Sequence, residues 1–296
     1  MQISDKFFYY DGHPSYLYGL RFSWLDKTPD VATVSEKEYI KVRNKTQNTF
    51  HISKSDHPDP LVFDAEIISD RVLSEHEVRR VYTTFFNKNQ YKKLTIPTDS
   101  GENIHLNSII TNVERIEGGV GNSFGVVGFS VTVECDAPWG WTDLIEIVYE
   151  NPSPSFGNYF SIYNYSDSND YIYPEVTLTV CKAEDCGNCS VLGSESGCVA
   201  CANKRSCLSS SALVPNKALA INQTDAMYKG LCVFADDNEK TITISPKSGV
   251  IKDSHNINNI ENTNKYFIRL LPGENIFYIE NIKKITFKFK EARILV

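Results

Sequence analysis

From Phe129 to Glu134 the chain alternates without a break: Phe129, Val131 and Val133 are apolar, and Ser130, Thr132 and Glu134 are polar. Successive side chains of an extended backbone point to opposite faces. A period of two therefore calls for a strand with one face on a core and the other in solvent. Such a strand needs neighbours, and the sequence offers them. Phe7-Phe8-Tyr9-Tyr10 runs into Asp11-Gly12, a strand meeting a tight turn that glycine makes accessible. Tyr18 to Trp24, Val62 to Ile68, Tyr91 to Ile96 and His105 to Val113 read as further strands, and Gly125 to Cys135 as a long one. Gly118, Gly119 and Gly121 are expected to form a flexible loop between the last two. That glycine run opens no helix, so it reads as a hairpin tip and not as a phosphate loop.

One helix is signalled against this β background. Ser74 with Glu77 three residues later forms a capping box, in which each side chain satisfies an orphan N–H of the first turn. Val78, Val81, Tyr82, Phe85 and Phe86 recur at helical spacing and predict an apolar face packed on a sheet, ending near Asn87 to Asn89. The fold class is therefore mainly β with one helix.

At 296 residues the chain is long enough for about two domains. Asn151-Pro152-Ser153-Pro154-Ser155 marks a linker or strand switch, giving domains 1–150 and 151–296. Beyond it the expected strands are Tyr159 to Tyr165, Glu175 to Cys181, Leu231 to Phe234, Lys240 to Ser245, Lys265 to Leu271, Asn275 to Ile279 and Lys283 to Lys290. Short strands with hardly a helix signal predict a β-sandwich. From about 182 to 215 the pattern gives way to Cys, Gly, Ser and Asn, which reads as an insertion into the second domain.

Charge narrows the partners. The formal net charge is −7 and the pI about 5.5, against the basic patch that phosphate recognition needs. Lys283, Lys284, Lys288 and Lys290 alternate with Ile285, Phe287 and Phe289, which reads as a strand with a solvated lysine face. The amino end lacks a signal-peptide pattern and no apolar stretch reaches membrane-helix length, so membrane insertion is not expected. Synthesis in a cytoplasm is expected, where disulfides do not persist.

The strongest chemical signal is in the insertion. Cys186/Cys189 and Cys198/Cys201 are two C-x2-C pairs, and four thiolates so arranged can hold a tetrahedral zinc. Two other readings stay open: reduced thiols in a loop, or disulfides closed after release from the cell. Cys181 and Cys207 flank the pairs, while Cys135 and Cys232 fall within strand patterns and read as buried thiols. The six histidines have no metal-ligand spacing, and no G-x-S-x-G element is present. Asp64 and Glu66 read as a solvated strand face, and Asp56, His57 and Asp59 as a polar loop. An enzyme is not indicated.

Three segments carry a family resemblance: Phe8-Tyr9-Tyr10-Asp11-Gly12 with Ser15 and Tyr18-Gly19-Leu20; Gly128 to Gly140, with its exit Asp136-Ala137-Pro138-Trp139; and Arg269-Leu270-Leu271-Pro272-Gly273-Glu274-Asn275 with the terminal strands through Arg293. In order and spacing the chain resembles the siphophage distal tail proteins of the phage tail component family. The resemblance implies a ring-forming first domain, a homo-hexamer, and an outward galectin-like β-sandwich. It implies a virion tail-tip hub contacting the tail tube, tail-tip or tail-associated proteins and receptor-binding proteins. The Cys-rich insertion departs from the family pattern. An alternative function is a carbohydrate-binding adhesin that contacts host-wall glycan through the sandwich, with Tyr163, Tyr165, Tyr171 and Tyr173 as the exposed aromatics.

Overall fold

The computed structural model describes residues 6–24, 37–43, 48–55, 59–98, 101–152, 157–180, 217–225, 230–234, 240–254 and 263–294. In chain order the strands are β1 (Tyr9–Tyr10), β2 (His13–Pro14), β3 (Leu20–Trp24), β4 (Lys37–Arg43), β5 (Asn48–Ser55) and β6 (Val62–Leu73). After helix α1 (Glu75–Val81) come β7 (Lys92–Pro97), β8 (Asn103–Val120), β9 (Ser123–Cys135), β10 (Gly140–Trp141), β11 (Ile145–Glu150), β12 (Asn158–Asn164) and β13 (Glu175–Val180). They are followed by β14 (Lys217–Asn222), β15 (Gly230–Phe234), β16 (Lys240–Ser245), β17 (Val250–Asp253), β18 (Gly273–Glu280), β19 (Ile282–Phe289) and β20 (Ala292–Arg293). The chain forms two compact units, residues 1–143 with 292–296, and residues 144–291.

The first unit is built on a sheet of order β2-β1-β7-β8-β9-β6-β3. One short segment links the two ends of this sheet: Lys6 bridges Phe22 on the edge strand β3, and three residues later β1 begins its pairing with β7. The inward residues Phe63, Ala65, Ile67, Phe129, Val131 and Val133 form the core with Phe8, Tyr10, Leu20 and Phe22. Helix α1 closes this core. Ser74 is its N-cap, with the reciprocal contacts of a capping box. Val78, Val81, Phe85 and Phe86 are buried, and each contributes about 1.5–3 kcal/mol by leaving water. The last turn widens to a π turn over Tyr82–Phe86, closed by the Asn87 N–H donating to the Tyr82 carbonyl at 2.8 Å. Edge-to-face contacts of Tyr82 and Phe86 with Phe129 (5.7 and 5.1 Å) fix the helix to β9.

β8 and β9 form a long hairpin with a bulge after Thr111, where Asn112 has φ 47°. The run Gly118–Val120, expected as a loop, is strand; the turn is only Gly121 and Asn122. Gly121 at the first central position has φ 61°, the signature of a type II′ hairpin, so a two-residue turn suffices.

The second unit has two sheets, β11-β19-β13-β16-β17 and β12-β18-β14-β15. Val176, Leu178, Ile242, Ile244, Ile285 and Phe287 of one sheet and Ile162, Ala218, Ala220, Leu231 and Phe277 of the other share a core. The chain changes sheets after β11, and Tyr149 of that strand stacks on Phe160 of β12 at 4.3 Å. Lys265 to Leu271 departs from the expected strand. It makes one isolated bridge, Ile172 to Leu270, and Lys265 has φ 58°. Side chains satisfy the polar groups here, as described below. Strand β14 gave no alternation because both its faces are covered: Ala218 and Ala220 face the main core, and Leu219 meets Cys232 and Tyr278 on the other side.

Candidate functional site

The zinc pairs Cys186/Cys189 and Cys198/Cys201 lie outside the described residues, as do Cys181 and Cys207. Among the described residues no group of three His, Cys, Asp or Glu side chains could hold a metal ion. Cys135 and Cys232 are buried, and burial pushes the Cys135 thiol up to about 12.

In the second unit the segment from Arg269 to Asn275 is held by a buried polar network. Asn275 is fully buried; its amide oxygen accepts from the Leu271 N–H and the Asn222 side chain, and its nitrogen donates to the carbonyls of Leu271 and Gly273. Asp225, also fully buried, accepts two hydrogen bonds from the Arg269 guanidinium and one from the Tyr266 hydroxyl. These contacts raise the Arg269 pKa further above its ordinary value, and burial beside Asp225 pushes the Tyr266 hydroxyl up to about 12. Four tyrosines stand on this scaffold. Tyr163 and Tyr165 lie 4.3 Å apart, and Tyr171 meets Tyr173 edge-on at 5.4 Å. The Arg269 guanidinium covers the Tyr171 ring at 4.7 Å. All four are exposed. The strand register adds Tyr159 and Ile276 to the same sheet face as Tyr163, two exposed residues that the sequence reading left out.

In the first unit the outward residues of β6, β9 and β8 follow from the register. Thr132 lies between Asp64 and Thr111, Ser130 between Glu66 and Glu114, and Glu134 between Val62 and Ile109. Thr132 donates to Asp64 at 2.6 Å and Thr111 to Glu134 at 2.9 Å. This strand face is acidic. The sequence reading also missed a line of groups on the neighbouring strands. The buried His105 ring meets Thr95 through Nδ1 at 2.9 Å and Asp143 through Nε2 at 2.6 Å, and Asn103 donates to the same carboxylate. These contacts hold the Asp143 carboxyl below the usual range. Nothing in the local sequence joins residues 95, 105 and 143; only the pairings of β7 with β8 and of β8 with β10 do. The line resembles a hydroxyl–imidazole–carboxylate relay, yet Thr95 sits in mid-strand between Tyr9 and His105. Its effect is to anchor the segment that leaves the first unit. The returning β20 pairs with β10, and Arg293 there grips Glu102 through two hydrogen bonds.

Residues 3–137 match the family described as phage tail protein N-terminal domain. Its fold continues through the whole chain in one solved relative. The SPP1 Dit protein, described as a paradigm of hub adsorption apparatus in phages infecting Gram-positive bacteria, superposes with a TM-score of 0.56. It is 12% identical, and the match covers 96% of this chain and 98% of that one. The chain thus has a Dit-like fold. A chain of the phage P2 baseplate in its activated conformation with Ca aligns with a TM-score of 0.39, 10% identity, and 94% and 92% coverage. A search of the curated proteins finds no match to this chain.

Proposed function

We propose that this chain is a non-enzymatic hub of a phage tail tip: a ring, six-fold in symmetry, that joins the tail tube to the tail-tip or tail-associated proteins and carries receptor-binding proteins. The observation that carries the reading is the Dit-like fold across nearly the whole chain, together with the phage-tail match of residues 3–137. On the same reading the second unit would be the galectin-like sandwich, in keeping with its two sheets around one core. A ring requires each subunit to offer two different surfaces that close by rotation, and the first unit would supply them. The acidic face bearing Asp64, Glu66, Glu114 and Glu134 would then line the channel, where carboxylates repel passing phosphates. Negative-stain imaging and light scattering of the full chain test this. Six-fold rings are expected. A monomer at high protein concentration would overturn the ring, and tight, salt-sensitive DNA binding would overturn the acidic channel.

A second reading is favoured by the exposed tyrosines. Tyr163, Tyr165, Tyr171 and Tyr173, held on a buried polar scaffold, offer apolar ring faces with polar edges of the kind that sugar rings stack on. Under this reading the second unit grips host-wall glycan. A glycan array probed with the full chain and with Tyr163→Ala and Tyr165→Ala decides it; equal retention by all three proteins would remove the reading.

A further inference from the structure

The first unit carries two separate sites of exposed large apolar side chains. The first is a knob. Beyond Val126 strand β9 pairs only with β8, and beyond Ser108 strand β8 pairs only with β9 among the described residues, so residues 117–125 stand out as a two-stranded arm. The arm reaches about 13 Å past Glu117, at about 3.3 Å per residue. Phe124 crowns it at 76% exposed, on the face it shares with Gly119, while Val120 lies on the opposite face. The second is a platform. Phe7 and Tyr9 both meet Tyr16 edge-on, at 6.3 and 6.4 Å, and the adjacent Leu17 is 67% exposed. The Arg21 guanidinium covers Phe7 at 4.9 Å. The platform adjoins β2, an edge of the sheet.

Each site is costly by itself. A two-stranded ribbon is marginal in water, and its open edges invite pairing. An exposed aromatic cluster likewise marks a contact surface. Neither surface complements a copy of itself: one is a narrow projection, the other a broad aromatic floor. That asymmetry is what a heterologous ring contact requires and a two-fold contact does not. Charge agrees with the pairing, since the arm carries exposed Glu117 and the floor is bordered by Arg21.

We infer that the Phe124 knob of one subunit seats on the Phe7/Tyr9/Tyr16/Leu17 platform of the next copy of this chain. This rests on the ring reading and names its contact. The test is a complementation experiment with full-length Phe124→Asp and Leu17→Asp. Both positions are exposed, so circular dichroism should show native folding for each, and Phe124→Leu should keep the ring. Each aspartate variant alone is expected to fall from ring to monomer in sedimentation. The two mixed should form a dimer and nothing larger, because the Leu17→Asp chain still has a knob and the Phe124→Asp chain still has a platform. A ring in either aspartate variant, or a mixture that stays monomeric, overturns the inference. A wild-type chain that is itself monomeric overturns the ring reading instead, before any variant is considered.

Discussion

Glu77 offers a perturbation whose sign and size follow from the coordinates. Its carboxylate receives the Arg71 guanidinium at 3.1 Å, the Ser74 backbone N–H at 2.9 Å and the Ser74 hydroxyl at 2.7 Å. The Arg71 contact first, then those of Ser74, lower its pKa from 4.5 to about 2. Taken whole, that shift would be worth about 3.4 kcal/mol, at about 1.36 kcal/mol per pH unit. Glu77 keeps 26% of its side-chain surface and Arg71 50%, so solvent screens the pair and about 1 kcal/mol is the sound expectation. Glu77→Gln keeps the shape of the capping box and removes the charge. At about pH 7 it should cost about 1 kcal/mol, a loss of roughly 2–4 °C in Tm for a domain of this size. A carboxylate whose pKa is depressed on folding stabilises above its unfolded value and ceases to do so as pH falls through its folded value. The gap between wild type and variant should therefore be full above about pH 4.5 and close as pH falls toward about 2. Thermal melts by circular dichroism along this pH series measure it. A gap that stays constant to the acid end would refute ionisation of Glu77 as its source, and no gap at any pH would refute a stabilising charge at this position.

Arg269→Met leaves the buried Asp225 carboxylate with the Tyr266 hydroxyl but without its cation; a loss of about 3–5 kcal/mol is expected in chemical denaturation, and an unchanged midpoint would show that the pair is dispensable. Gly128→Ala places a methyl 2.6 Å from the Ile67 carbonyl oxygen and 3.2 Å from the Ile68 Cα, so β6 and β9 must separate, at a cost of about 1–3 kcal/mol; wild-type stability would contradict the register of these strands. For the insertion we propose zinc on Cys186, Cys189, Cys198 and Cys201, since metal binding can replace a missing apolar core. Elemental analysis of protein purified without chelator should find about one zinc per chain, and metal-free protein with disulfides in the insertion would replace zinc by a covalent staple.

Local chemistry alone determined a good deal. Ser74 and Glu77 announced the capping box because both partners lie within one turn, and Phe129, Val131 and Val133 announced their strand because one face meets a core and the other meets water. Where both faces are covered, as in β14, no alternation remains to be read. The expected strand at Lys265 to Leu271 fails for a related reason: its apolar residues look extended, but the Asn222 and Asn275 side chains take up backbone groups of Arg269 and Leu271 in place of a ladder. Tertiary structure alone decided which distant residues meet. Only the pairing of β7, β8 and β10 brings Thr95, His105 and Asp143 into line, and only the return of β20 sets Arg293 against Glu102. The knob and the platform also belong to tertiary structure, because exposure depends on where neighbouring strands end. Phe124 reads in the sequence like any core aromatic; it is bare because β6 and β7 stop short of the hairpin tip.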